Sequence, residues 1–373
     1  MHRRADRDRG SRLAWILALG AVVFAVGAVS AVVELRSHDF IAIYAAASLV
    51  LAGNGAAIVD PQAVLAAEHA AEPSRTVLLP WIQPPVVALL IAPLAALPLT
   101  AASVLMTAIN TACITFAVHH LGVLAAAAQR ARLLPLALFA PPATIALTQG
   151  QTSPWVVALL ALALRASPFW RGLALGLTLI RPQTFALFAL AALTGWRGAC
   201  GLVAGLGIVG LGSLLVVGVD GMATYARALL DAGSWSVSGA EGVHAAISWV
   251  GPAIALGIPA VGLIATAVSL AVGAVIVARS RDGDRIVAAS SWAALGSPHV
   301  LLHDGLLSYP AVAARSWSTM RLMVIVGSGY GAALLHQAGI PVAPVWLLGV
   351  ARMPVRDPAG VVDLTTTIGQ RRA

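Results

Sequence analysis

Residues 172–194 read GLALGLTLIRPQTFALFALAALT, an apolar stretch with Arg181, Pro182 and Gln183 near its centre. About 20 apolar residues are enough for a helix to cross a bilayer. Proline cannot continue the helical hydrogen-bond ladder, and a charged side chain at membrane depth is costly. We therefore expect two half-helices that meet at Arg181-Pro182, in a hairpin that does not cross the membrane fully.

The rest of the chain has the same apolar character. Of its 373 residues, 59% are hydrophobic and only 10% are charged, whereas a soluble domain carries about 25% charged residues. We therefore predict an all-α polytopic transmembrane bundle of about 10–12 helices, some broken or re-entrant. The apolar runs lie at about residues 13–33, 83–98, 101–121, 133–148, 152–165, 172–194, 199–219, 246–278, 286–302, 305–314, 321–336 and 340–351.

The basic residues indicate how the bundle is oriented. All 23 are arginine, and the formal charge is +8. In a membrane protein, arginine clusters between apolar runs mark cytoplasmic turns, so this charge does not indicate a nucleic-acid partner. We predict a cytoplasmic N-terminus in a multi-pass protein of a bacterial inner membrane, the source being inferred from the Ala-, Gly- and Arg-rich composition. The clusters lie at residues 3–12, 130–132, 165–171, 279–285, 315–321 and 352–372.

This orientation defines the expected domain organisation. Residues 1–351 form one transmembrane domain, and residues 352–373 form a cytoplasmic tail. A polar segment, residues 34–81, is the first outer loop, and residues 148–153, 220–245 and 297–304 are also expected outside. Asp39 opens the outer loop and precedes a predicted helix over residues 40–51. Its carboxylate either faces a cavity or caps that helix from solvent.

A second polar cluster, Ser297-Pro298-His299-Val300-Leu301-Leu302-His303-Asp304, follows an otherwise apolar run. On a helix, His299 and His303 would share one face because they are four residues apart. This spacing also suits a metal site, but no third zinc ligand follows the usual pattern, so zinc is not expected. The alternative interpretation is an interfacial cluster of polar side chains.

Arg181 needs an anionic partner, because an unpaired charge inside a protein is strongly disfavoured. No acid is near it in sequence, so the partner is either an acid far along the chain or a ligand. Phosphate suits the fork of the guanidinium group. A polar elbow over residues 148–155, TQGQTSPW, has a sequence that any turn would also favour.

Taken in order, these motifs resemble glycosyltransferase family 87, within the C-type superfamily of membrane glycosyltransferases. The resemblance covers about residues 12–335 and depends on the order and spacing of the motifs. The matching positions are Asp39, Tyr44, residues 45–47, Gly53, residues 92–98 (APLAALP), Asn110, Gly150-Gln151, residues 172–177 (GLALGL), Arg181-Pro182-Gln183, Ser297-Pro298-His299 and His303-Asp304.

The resemblance implies an enzyme that moves a sugar, typically mannose, from a polyprenyl phosphate to a glycolipid or glycan acceptor. Such enzymes work at the outer face, invert the anomeric centre and need no cofactor. Asp39 matches the catalytic aspartate, and His299, or else His303, matches the late histidine. Arg181 stands where the family usually has lysine. The expected substrate-binding residues are Arg181, His303, Asp304, Tyr44, Gln151 and Gln183.

Physical chemistry supports the same assignment independently of the family. Sugar transfer needs a base for the acceptor hydroxyl and stabilisation of the departing phosphate. Asp39 can supply the base, and Arg181 with a histidine can stabilise the phosphate. We predict no metal, because the monophosphate of a lipid-linked sugar donor needs less help from a metal than the diphosphate of a nucleotide donor. Two alternatives remain open at this point. A secondary transporter would also contain broken helices and a charged residue at the midplane, and a non-catalytic membrane scaffold would not require Asp39.

Overall fold

The computed structural model describes residues 39–74, 78–79, 81–122, 124, 134, 137–138, 140–237, 247–314, 344–345 and 347–348. The predicted first helix over residues 13–33 and the predicted tail over residues 352–373 lie outside the described residues. So do the arginine clusters at residues 3–12, 130–132 and 315–321. The described part is all α-helical and contains no β-strand, which confirms the predicted fold class.

Thirteen α-helices lie within the described ranges, and many of them are shorter than the apolar runs that contain them. The run at residues 246–278, for example, contains two helices. The helices are α1 Phe40–Leu51, α2 Pro61–Ala71, α3 Pro85–Ile91, α4 Leu99–Leu121, α5 Pro141–Thr148, α6 Ser153–Arg165, α7 Pro168–Leu177, α8 Phe185–Ala192, α9 Trp196–Val237, α10 Val250–Ala255, α11 Pro259–Arg279, α12 Asp282–Trp292 and α13 Tyr309–Ala313. Short 3₁₀ helices cover Gly55–Val59, Ala92–Ala96, Thr178–Ile180, Pro182–Thr184 and Leu302–Ser308.

Three helices of the described part, α4, α9 and α11, are long and apolar enough to cross a membrane. In the most apolar stretch of each, one third or fewer of the residues are buried inside the protein. Leu215 and Val219 of α9 are 84% and 74% exposed. Apolar side chains exposed along such helices find a suitable environment in lipid. The chain is therefore a membrane protein.

The break predicted at Arg181-Pro182 is present. Helix α7 runs into the 3₁₀ turn Thr178–Ile180, and a second 3₁₀ turn, Pro182–Thr184, leads into α8. The two ends of this hairpin that are far from the break lie beside the start of α9, since Gly198 is in contact range of Gly172 and of the Ala192 carbonyl. Each arm is too short, at about 18 Å, to cross a 30 Å hydrocarbon core, so the hairpin crosses it only in part.

Small residues bring α7 and α9 into backbone contact. Gly172 and Gly176 of α7 face Gly198, Gly201 and Gly205 of α9. A Cβ atom on Gly205 would lie 2.6 Å from the Leu173 carbonyl oxygen, and one on Gly176 would lie 3.0 Å from Gly205 Cα. Both helices carry a Gly-xxx-Gly pattern, which permits this approach in membranes. The contact holds α7 in place and thereby sets the position of the break that follows it.

Several arginine side chains lie near one another at one end of the bundle. Arg285 donates to the Leu193 carbonyl at 2.9 Å, which brings the start of α12 beside the start of α9. Arg171 donates to the carbonyls of Ala163 and Ala166 at 3.3 Å, which joins α7 to the end of α6. We call this region the arginine end and define it by Arg165, Arg171, Arg197, Arg279, Arg281 and Arg285. The clusters at residues 165–171 and 279–285 thus lie on one side of the bundle, as expected for a common cytoplasmic side.

The polar segment after residue 38 folds back onto the bundle. Helix α1 has the predicted bounds, Phe40–Leu51, and Phe40, Ala45 and Ala46 are fully buried. Residues 220–245 were expected to form an outer loop, but they are helical as far as Val237, because α9 continues beyond a kink at Gly218. Gly218 has φ 69°, a left-handed value that glycine adopts without strain, and this permits the kink.

Replacing Gly201 with alanine tests the α7–α9 contact. The added methyl group would collide with the Phe169 carbonyl and would force the two helices apart. We expect a loss of about 1–3 kcal/mol, typical of overpacking, measured as lower thermal stability of the purified protein in detergent. Gly207→Ala on the same helix is the control, because a Cβ atom there meets nothing within 4 Å. Equal stability of the two variants would contradict the prediction.

Candidate active site

Three segments meet inside the protein, where the short helices of the pairs α5–α6 and α7–α8 are joined. The first is the turn between α5 and α6, the second is the break at Arg181, and the third is the 3₁₀ helix Leu302–Ser308. The polar side chains Gln151, Arg181, His303 and Asp304 are all buried there. The predicted site residues from three distant parts of the sequence are therefore brought together in one cluster.

A buried ion pair joins two of these segments. Arg181, 4% exposed, lies with Nη2 at 2.6 Å from Oδ1 of Asp304, which is 0% exposed. The Ser153 hydroxyl donates to the same carboxylate oxygen at 2.7 Å, and the Leu301 amide donates to Oδ2 at 3.3 Å. Arg181 therefore has an acidic partner far along the chain, which was one of the two alternatives that the sequence left open.

The carboxylate of Asp304 has the surroundings that a buried charge needs. The Arg181 guanidinium supplies the opposite charge, and the Ser153 hydroxyl and the Leu301 amide supply hydrogen bonds. A buried arginine requires such a charged partner.

His303 completes the surroundings of the guanidinium group. Its Nε2 lies 2.9 Å from Arg181 Nη2. Arginine can only donate, so this ring nitrogen accepts and the ring proton resides on Nδ1. Its buried Nδ1 has no hydrogen-bond partner among the described residues.

Arg181 uses most of its donors within the protein. Nη1 donates to the Gln151 side-chain oxygen at 3.1 Å and to the Thr152 hydroxyl at 3.4 Å. Nη2 faces Asp304 and His303, and Nε has no partner in the part of the chain that the structure describes. Four of the five N–H groups thus have protein acceptors. An anionic ligand would reach this guanidinium only through Nε or by displacing one of those acceptors.

Gln151 connects Arg181 to Asp39. Its Nε2 donates to Asp39 Oδ2 at 2.6 Å, while its Oε1 accepts from Arg181. Because arginine only donates and a carboxylate only accepts, the amide can satisfy both partners in one orientation alone. The half-buried Asp39 is therefore held in a fixed position relative to the buried ion pair, although the two lie far apart in sequence.

The turn that presents Gln151 has a sequence explanation. The backbone N–H of Gln151 donates to the Ala146 carbonyl at 3.0 Å, which closes helix α5 with a Schellman motif around Gly150. Gly150 has φ 60°, the left-handed value that this motif needs. A Cβ atom at Gly150 would also lie 2.9 Å from Phe40, the residue after Asp39. Glycine at this position thus permits the close approach between the turn and the start of α1.

A second layer of polar side chains supports the turn. Asn110, in the middle of α4, donates to the Gln151 carbonyl at 2.9 Å and accepts from the Trp155 indole at 3.0 Å. Thr152 donates to Gln83 at 3.2 Å. From the sequence, Asn110 was only a motif position, Thr152 and Ser153 were only members of the polar elbow at residues 148–155, and Gln83 was not predicted. Their buried polar side chains beside glycine and proline turns were the available signal, but turns on a surface have the same composition.

The other predicted residues differ in how close they are to the cluster. His299 is half-buried and close enough to Asp304 and Arg181 for their charges to act on its ring. It lies in an irregular segment before the 3₁₀ helix, so it does not share a helical face with His303. Gln183 is half-buried in the turn Pro182–Thr184. The Tyr44 hydroxyl donates to the Leu97 carbonyl at 2.8 Å, a contact that belongs to the support of α1.

The ion pair can be tested by removing its carboxylate charge. Asp304→Asn would leave the Arg181 charge buried without a counter-charge, and breaking such a pair typically costs about 3–5 kcal/mol. We expect a clear drop in the thermal stability of the protein in detergent. Asp284→Asn is the control, since Asp284 is exposed at the start of α12. A stable Asp304→Asn variant would show that Arg181 does not depend on this carboxylate.

Comparison with known proteins identifies the family. The model of glycosyltransferase family 87 matches residues 81–303, more than half of the chain, including Gln151, Arg181 and His303. No curated protein and no solved structure matches the chain significantly. The resemblance noted in the sequence is thus confirmed, and the chain belongs to glycosyltransferase family 87.

Proposed function

We propose that this glycosyltransferase moves a sugar, mannose in the first instance, from a polyprenyl phosphate to a glycolipid or glycan acceptor with inversion at the anomeric carbon. The observation that carries the proposal is the link from Asp39 through Gln151 to Arg181. It holds the Asp39 carboxylate and the Arg181 guanidinium on the two sides of one amide, and transfer from a phosphate ester needs one group of each kind. Family membership favours this function over a transporter or a scaffold.

Asp39 is the proposed base. Its carboxylate takes the proton of the acceptor hydroxyl while that oxygen forms a bond to the anomeric carbon of the sugar. The bond between this carbon and the phosphate oxygen breaks, and the electron pair leaves with the polyprenyl phosphate. Attack from the side opposite to the leaving group inverts the anomeric centre. The hydrogen bond from Gln151 orients the Asp39 carboxylate for this step.

The cluster around Arg181 is the proposed partner for the negative charge on the leaving phosphate. His299, half-buried and close to Arg181 and Asp304, is the histidine with the more accessible ring, while His303 is 1% exposed. Direct contact with Arg181 would use its unpartnered Nε or displace Asp304. A reaction that needs only charge stabilisation of one phosphate is consistent with the proposal that no metal or cofactor takes part.

The depth of the cluster supports action from the outer half of the membrane. Helix α6 runs from Ser153 in the cluster to Arg165 at the arginine end, a distance of about 18 Å along its axis. With the arginine end at the cytoplasmic interface of a core about 30 Å thick, the cluster lies beyond the midplane. The orientation in a bacterial inner membrane and the single domain over residues 1–351 remain part of this proposal.

Asp39→Asn tests the base. The amide keeps the shape of the side chain but cannot accept the proton, so we expect sugar transfer to fall by about 100- to 10,000-fold while the protein stays folded. The assay is transfer of labelled sugar from a polyprenyl-phosphate donor in purified membranes. Asp60→Asn is the matched control, because Asp60 caps α2 and asparagine also serves at that position. Near-normal transfer by Asp39→Asn would exclude this role.

Gln151→Leu tests the link between Asp39 and Arg181. Leucine has a similar volume but neither donates to Asp39 nor accepts from Arg181. Because a small misplacement of a reacting group can cost about 100-fold in rate, we expect kcat to fall by about that factor. Gln149→Leu is the control, since Gln149 is half-buried at the end of α5 and precedes the same turn. Equal kcat values for the two variants would show that the bridge does not position the base.

A further inference from the structure

A pair of basic side chains lies far from the active site, at the arginine end. Arg165, the last residue of α6, has Nη1 at 3.1 Å from Nδ1 of His120, near the end of α4. Since arginine only donates, His120 Nδ1 accepts and the ring proton resides on Nε2. The free polar groups of the pair are therefore all N–H donors, the arrangement that an anion requires.

Among the described residues, the pair has no acidic counter-charge. Within the described part of the chain, no carboxylate lies within ion-pair distance of Arg165, and its hydrogen bond to His120 is its one polar contact. Arg171 differs, because it donates to the carbonyls of Ala163 and Ala166 and so caps α6. Arg165 is exposed and is not needed for that cap. The last carbonyls of a helix can accept from a nearby cation, but at the end of α6 the carbonyls of Ala163 and Ala166 accept from Arg171.

Aromatic side chains place the pair at the level of lipid headgroups. The Phe116 ring lies 4.2 Å from the His120 ring. Trp170 at the start of α7 and Trp196 at the start of α9 are 61% and 73% exposed at the same end of the bundle. Exposed tryptophans at one end of apolar helices are typical of a membrane–water interface. A phospholipid phosphate is thus available at the height of the Arg165 and His120 side chains.

We propose that Arg165 and His120 bind the phosphate of an anionic phospholipid between the ends of α4 and α6. The lipid phosphate accepts from the guanidinium group and from His120 Nε2–H, and its acyl chains lie along the apolar flank of α4, where Val104, Leu105 and Phe116 are exposed. An anionic headgroup is preferred over a zwitterionic one because the pair carries positive charge that no carboxylate of the described residues neutralises. This site is independent of the sugar-transfer reaction.

Native mass spectrometry of the full-length protein, released from bilayer nanodiscs of equimolar phosphatidylglycerol and phosphatidylcholine, tests the site. The wild type should retain phosphatidylglycerol in preference. Arg165→Gln should retain about tenfold less, the loss expected when a hydrogen bond to a charged phosphate is removed. Arg279→Gln is the matched control, because it removes an exposed arginine at the end of α11 without a histidine neighbour. His120→Gln should weaken retention as well, without changing the charge of Arg165.

Three results would overturn the proposal. One is equal retention of the two lipids by the wild type. Another is an equal loss in Arg165→Gln and Arg279→Gln, which would indicate a general effect of surface charge. The third is displacement of phosphatidylglycerol by millimolar inorganic phosphate, which would show that the pair binds a free anion and not a lipid. Sugar transfer by Arg165→Gln should stay at the wild-type level in detergent, which separates this site from the active site.

Discussion

The buried contact between Arg181 and Asp304 is the constraint on which the rest of the site depends. A charged guanidinium at this depth is tolerated only with a charged partner and with acceptors for its other donors. Asp304, His303, Gln151 and Thr152 fill these roles, and they come from a turn and a short 3₁₀ helix and not from an α-helix. The turns must therefore meet at one place, and the short helices must end there. The chain builds this meeting point from three segments about 30 and 120 residues apart.

Interrupted helices allow irregular backbone to lie inside a membrane protein without contact with lipid. Lipid cannot satisfy free amide and carbonyl groups, so turns at that depth must be enclosed by protein. Here the long helices α4, α9 and α11 provide apolar flanks, while α5–α6 and α7–α8 provide two pairs of arms whose turns are buried. Close packing of α7 on α9 through glycine keeps one of these turns at a fixed depth. The site thus combines a rigid position with polar groups that few membrane helices carry.

The two polar regions of the molecule lie at different places along the bundle axis and differ in exposure. The arginine end holds exposed cations and tryptophans, whereas the active-site cluster holds buried, mutually satisfied charges about 18 Å away along α6. The exposed cations face the surroundings of the protein, whereas the buried Arg181 pairs with Asp304. This difference in surroundings, and not the number of charges, distinguishes the two regions.

Composition and pattern alone determined the membrane class, the all-α fold, the helix Phe40–Leu51 and the break at Arg181-Pro182, because apolar run length and proline act locally. The order of motifs also identified the family, and it singled out Asp39, Gln151, Arg181, His303 and Asp304. Only the tertiary structure decided that Arg181 pairs with Asp304, that Gln151 joins it to Asp39 and that Tyr44 contacts the Leu97 carbonyl. It also decided that Ser153, Thr152 and Asn110 belong to the cluster. Such pairings join residues 30 to 150 positions apart, and no local pattern specifies which distant donor meets which acceptor.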